Sequence, residues 1–147
     1  METLFVSHEN AIKLEEIGFN DPCFGFYSSS GKLKRHFPTE GTFDEFDALL
    51  SNTDINVDGY VTAPTHQQVT DWFRNNHNLF VELYLVVDKL PQSGKIYSYI
   101  ITDLKYNRDV GDSTGGHEGY YDALESAIGM CIKLLKNQIK DGYVRDI

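Results

Sequence analysis

Apolar residues change their spacing several times along the chain, and each change marks an element. In SHENAIKLEEIGF, Ala11, Ile12 and Leu14 alternate with charged positions, Ser7 stands where an N-cap belongs and Gly18 where a helix stops. That spacing predicts a short helix. CFGFYSSSGKLKRHF sets an aromatic run, a turn at Ser30 and Gly31 and a second extended run in succession, the order of a hairpin. TFDEFDALL opens with Thr42 and Glu45 at capping-box spacing and predicts a second helix. THQQVTDWFRNNHN repeats the device with Thr65 and Gln68, then carries Val69, Trp72 and Phe73 at steps of three and four.

The period then falls to two. In LFVELYLVVD, Leu79, Val81, Leu83, Leu85 and Val87 share one face, and Phe80, Glu82, Tyr84 and Val86 share the other. One face wholly apolar and one mixed is the signature of a strand covered on one side. KLPQSGK turns the chain, and IYSYIITDL runs back as a partner. A glycine-rich stretch follows, and then a long helical stripe of Tyr120, Ala123, Leu124, Ala127, Ile128, Cys131, Leu134 and Leu135. Lys133, Lys136 and Lys140 lie toward the end of that helix, where its terminus favours cations. The expected fold is α+β: an antiparallel sheet of about four strands, made by two hairpins and packed by helices, with the long C-terminal helix on one face. Helix, hairpin, helix occurs twice in order, without an alignable residue pattern.

Length and composition narrow this picture. The 147 residues suit one domain, 1–147, able to bury roughly two-thirds of the surface exposed by the unfolded chain. Apolar residues at 41%, with nine Tyr and nine Phe, argue against global disorder. No apolar run approaches a membrane span, and METLFVSHEN lacks the basic start of a signal peptide, so a cytoplasmic protein is expected. Cys23 and Cys131 fall in a strand-like segment and a helix stripe and read as buried thiols, rather than a disulfide or a nucleophile. A net charge of −9 disfavours binding to a phosphate backbone. The short basic run Lys32 to His36 reads as the solvent face of a hairpin strand.

Candidate chemistry is sparse. DINVDGYVTAPT resembles a calcium loop, because Asp54, Asn56, Asp58 and Gly59 occupy its first, third, fifth and sixth positions. The twelfth position, which needs a bidentate glutamate, is Thr65, so Asp54 to Thr65 reads as a polar turn leading into a capped helix. Gly111 to Gly119 places glycines before a helix, where backbone N–H groups can converge on an anion, but it lacks the lysine of a phosphate loop and the spacing of a dinucleotide fingerprint. A mobile surface loop accounts for it more simply. His117, Asp112 and Glu118 form a polar triple within it. His66 and His77 share a predicted helix face but stand roughly 16 Å apart, too far to ligate one ion. His8 and His36 have no partner at ligand spacing. No catalytic residue, metal site or cofactor is expected from these patterns, and Trp72, Phe73 and Arg74 read as two core residues and a solvated charge.

LEEIGFNDPCFGFY, APTHQQVTDWFRNNHNLFVELYL and YYDALESAIGMCIKLLKN, taken together, resemble a group of small uncharacterised proteins encoded by phages and prophages of Bacteroidetes. The most specific segment is Ala63 to His77 with the strand directly after it. The resemblance implies a bacterial host context and brings no catalytic residues. Together with the acidic charge and the missing catalytic constellation, it favours a non-enzymatic accessory protein that binds a host or phage protein; the charge disfavours nucleic acid and the lack of an apolar run disfavours a membrane. The alternatives are a small anion- or nucleotide-binding protein or enzyme using Gly111 to Gly119, and a structural component of the virion.

Overall fold

A computed structural model of the protein describes residues 2–35, 50–55, 57–86, 96–113 and 116–140. The helix expected from Thr42 and the turn expected in KLPQSGK lie outside them. The architecture is α+β, with two compact units, Met1–Thr65 and His66–Ile147. Each holds a three-stranded antiparallel sheet. The two hairpins thus do not join in one sheet of about four strands. Each instead recruits a third strand of its own.

In the first unit, α1 (His8–Glu16) begins with the Ser7 hydroxyl accepting from the Asn10 N–H at 3.2 Å, which satisfies a donor the first turn leaves unpaired. It ends where Gly18, at φ +96°, donates to the Glu15 carbonyl and Phe19 donates to Leu14. This is a Schellman turn, and the buried side chains of Leu14 and Phe19 flank it. Strand β1 (Gly25–Tyr27) lies between β2 (Leu33–Arg35) and β3 (Val61–Ala63). The hairpin joining β1 and β2 turns through Gly31 at φ +81°, whose N–H donates to Ser28. Strand β3 was hidden in what reads as a polar turn. It has only three residues, all buried, so no alternation betrays it. Asn52 fixes it: its Oδ1 accepts from the N–H and hydroxyl of Thr62 at 2.9 and 3.1 Å, and its Nδ2 donates to the Phe19 carbonyl at 2.9 Å.

In the second unit the order is α2 (His66–His77), β4 (Leu79–Leu85), β5 (Tyr97–Asp103), β6 (Arg108–Asp112) and α3 (Tyr120–Lys140). The strands form a meander with β5 in the centre. Helix α3 packs across the sheet, and α2 packs against β4 and α3. The covered face carries Leu79, Tyr99 and Ile101, all buried; of the β4 face expected to be covered, Val81 and Leu83 are half-buried, Leu85 is exposed toward the strand end, and Val87 lies outside the described residues. From α3 it meets Ala123, Leu124, Ala127, Ile128, Cys131, Ile132 and Leu135, also buried. Each fully buried branched side chain contributes about 1.5–3 kcal/mol relative to exposure. The predicted stripe departs at two positions, with Tyr120 exposed and Leu134 half-buried, and Ile132 joins the interface instead. Trp72 and Phe73 are core residues, as their spacing suggests. The unexpected strand is β6, whose residues RDVGD do not alternate because a bulge intervenes. Ile101 pairs with Gly111 and Thr102 with Asp109, leaving Val110 unmatched.

Candidate functional site

Helix α2 passes into β4 through one residue, Asn78, held at φ 55°. Asparagine tolerates this left-handed conformation better than most side chains. The chain therefore doubles back, and a cavity of about 240 Å³ lies between the polar flank of α2 and the strand. Helix α2 contributes His66, Thr70, Asp71 and Arg74 to it, β4 contributes Phe80, Val81 and Leu83, and α3 closes it with Tyr120 and Leu124. The Arg74 guanidinium donates to the Asp71 carboxylate at 2.9 Å, and the Gln67 amide donates to the same oxygen at 3.0 Å.

Register fixes what the strand presents there. The Val86 N–H donates to the Ile96 carbonyl, and the Leu104 N–H donates to Asn78. Antiparallel pairs alternate between hydrogen-bonded and non-hydrogen-bonded types. Phe80, Glu82 and Tyr84 accordingly direct their N–H and C=O groups to β5, while Val81, Leu83 and Leu85 direct theirs to the outer edge. Among the described residues no strand pairs with that edge.

His66 sits at one end of the cavity and is buried to 5% exposure. Its Nε2 lies 2.7 Å from Oε1 of Glu125 on α3. A carboxylate only accepts, so Nε2 carries the proton and donates; in the neutral ring Nδ1 is then an acceptor. Nδ1 has no hydrogen-bond partner among the described residues. The Tyr121 ring lies against the imidazole at 5.3 Å. Along β4, Phe80 and Tyr84 are exposed to 37% and 43% with Glu82 between them. A second cavity of about 320 Å³ opens near the β5–β6 turn, lined by Asp103, Tyr106, Arg108 and Leu134 among others. There Lys105 and Arg108 lie 5.5 Å from the centre of the Tyr106 ring.

The residues singled out by sequence have separate places. Asp54, exposed at the surface, folds its carboxylate back onto Ser51, accepting from the Ser51 N–H at 3.0 Å and hydroxyl at 2.8 Å. Those bonds to the charged form hold it below the usual carboxylate value. Asn56 is outside the described residues, Asp58 and Gly59 make a surface turn with Gly59 at φ +81°, and Thr65 pairs with Phe5 in an isolated bridge. The polar turn therefore leads first into β3. His8 packs its ring 5.1 Å from Tyr27, and its Nε2 has no hydrogen-bond partner among the described residues. His36 is outside the described residues, and His77 lies 4.6 Å from the Trp72 ring.

Within Gly111 to Gly119, the described residues are tied to β5. Ser113 hydrogen-bonds Ser98 at 2.6 Å, and His117 and Tyr97 exchange backbone bonds of 2.7 and 2.8 Å. Gly111 lies under Met130, and a Cβ on Gly116 would stand 1.9 Å from Ile96 Cγ2. Close packing thus requires a glycine at 116 and leaves little room at 111. Asp112 is in β6 opposite Ile100, and His117 stacks on Tyr99 with centroids 6.2 Å apart. Cys23 and Cys131 are buried free thiols, and burial pushes Cys131 up to about 12. Among the described residues no three His, Cys, Asp or Glu side chains gather, and no helix is long and apolar enough to cross a membrane. No family model, curated protein or solved structure matches the chain.

Sequence reasoning missed the His66–Glu125 pair. A signal was present, since His66 precedes Val69 and Phe73 by three and seven positions and so lies on the apolar stripe. Glu125 borders the stripe of α3, but nothing local joins residues 59 positions apart.

Proposed function

We propose that this chain is a non-enzymatic interaction module, a phage or prophage accessory protein acting in the cytoplasm of a bacterial host, which docks a host or phage protein through its second unit. The observation that carries this reading is on β4, where Phe80 and Tyr84 stand exposed on either side of Glu82, opposite in alternation to buried Leu79. Aromatic side chains in a row on a sheet surface supply contact area at small entropic cost. Glu82 and the net charge of −9 favour a partner with a basic surface.

The anion-binding alternative has less support. Asp122, in the first turn of α3, stands beside Gly119 and places negative charge where an anion would approach the helix start. A photo-crosslinking phenylalanine analogue placed at position 84, with the same analogue at exposed position 16 as control, tests the reading in lysates of infected and uninfected cells. A discrete partner joined from position 84 alone, and lost in Phe80→Ala, is the expected result. No product at position 84, together with thermal stabilisation by phosphate, nucleotides or divalent ions, would establish the anion reading instead. Recovery of the chain as a stoichiometric part of purified virions would favour a structural role.

A further inference from the structure

The two edges of the second sheet are built differently. Strand β6 has five residues, carries Arg108, Asp109 and Asp112 and is bulged at Val110. These are the devices by which a sheet edge avoids pairing with other chains. Strand β4 has seven residues, LFVELYL, with one charge, no proline, no lysine and no register shift against β5. It leaves the N–H and C=O groups of Val81, Leu83 and Leu85 directed outward, and Val81 and Leu83 also line the cavity beside α2. An unblunted edge beside a cavity matches the geometry of strand addition.

We infer that the outer edge of β4 binds an extended, lysine- or arginine-bearing peptide segment of the partner protein as an added antiparallel strand. This rests on the interaction-module reading above and names the mode of contact. Residues of the added strand opposite Phe80, Glu82 and Tyr84 share their open face. Apolar side chains there meet the two rings, and a basic one meets Glu82, as cross-strand pairs. Intervening residues point toward α2, where the cavity offers the Asp71 carboxylate as an acceptor and is also lined by Thr70. Short side chains bearing a hydroxyl suit both its size and its chemistry. A second copy of the chain is a poorer occupant, because pairing centred on Glu82 sets two carboxylates directly opposite each other.

The test is a titration of the ¹⁵N-labelled full chain, followed by amide chemical shifts, with the capped peptide Val-Thr-Lys-Thr-Val. Parallel arms use the same peptide N-methylated at both threonines, and a version with Glu for Lys. Saturable shifts of the Val81 and Leu83 amides are expected. Binding should weaken about tenfold on N-methylation, which removes two backbone donors, and should weaken for the Glu peptide most strongly at low salt. Equal binding of the N-methylated peptide, or no saturable shift at Val81 and Leu83, overturns strand addition. Concentration-dependent broadening of those amides without peptide also overturns it, in favour of a second copy. If strand addition fails while the position-84 crosslink to a partner persists, the interaction-module reading stands and docking occurs on the open face alone.

Discussion

Nε2 of His66 and Oε1 of Glu125 are 2.7 Å apart, and this one bond ties the first turn of α2 to the first half of α3. His66 is buried and Glu125 is partly so. Removing the acceptor strands the Nε2–H in a place water reaches poorly. Glu125→Ala should destabilise the chain by about 1–3 kcal/mol in urea unfolding. His66→Phe combined with Glu125→Leu should recover most of that loss, since replacing both partners by apolar groups leaves no polar atom unpaired. Glu125→Ala unfolding at the wild-type midpoint would contradict the assignment.

Asn52 holds β3 and the end of α1 with three side-chain bonds. Asn52→Ala leaves the Thr62 N–H, on a residue 1% exposed, without that acceptor. A loss of about 2 kcal/mol is expected, read as a lower urea midpoint.

Two glycines separate backbone strain from steric clash. Gly18 has nothing within 4 Å of an added Cβ but sits at φ +96°. Gly18→Ala should therefore cost about 1 kcal/mol through conformation alone. Gly116→Ala places its methyl carbon against Ile96. It should displace the His117–Tyr97 bridge and shift both residues' amide resonances, whereas Gly18→Ala leaves those resonances in place.

Asp54 gives a pH dependence of definite sign. Its folded-state carboxyl titrates below the ordinary value of 3.8 because Ser51 donates to the charged form through its backbone and its hydroxyl. The stability it contributes is complete above 3.8 and is lost as pH falls through the lowered value. In acid unfolding, wild type and Asp54→Asn should therefore differ near neutrality and converge at the acid end. A difference that grows toward low pH would contradict this.

Cys131 behaves oppositely. Burial raises its thiol to about 12, so the reactive thiolate is suppressed at ordinary pH, and its contribution to stability is lost as pH rises from 9 toward that value. Ellman's reagent at pH about 8 should label neither cysteine in the native chain and both in denaturant. One fast native equivalent would show an accessible thiol.

Particular residues show why some of this was legible in the sequence and some was not. Ser7, Gly18, the Val69–Trp72–Phe73 spacing and the α3 stripe act within a few positions of themselves, and their elements formed where local chemistry placed them. The alternation of β4 foretold its open face at Phe80, Glu82 and Tyr84, while the opposite face is covered fully only at Leu79 and fades to exposed Leu85. Strand β3 is too short for a period, and Val110 breaks the period of β6, so both third strands were invisible and one sheet was expected where two exist. The cavity and the His66–Glu125 bond depend on α2, β4 and α3 meeting, which no single window of sequence contains. The outer-edge direction of the Val81 and Leu83 backbone groups follows from register, and register requires the pairing to be known.

The account turns on that open edge, and amide hydrogen exchange of the free protein measures it directly. Phe80, Glu82 and Tyr84, bonded to β5, should exchange slowly, and Val81, Leu83 and Leu85 should exchange faster by orders of magnitude, in strict alternation. Uniform slow exchange from Phe80 to Leu85 would show the edge already covered and would contradict its role as the docking strand.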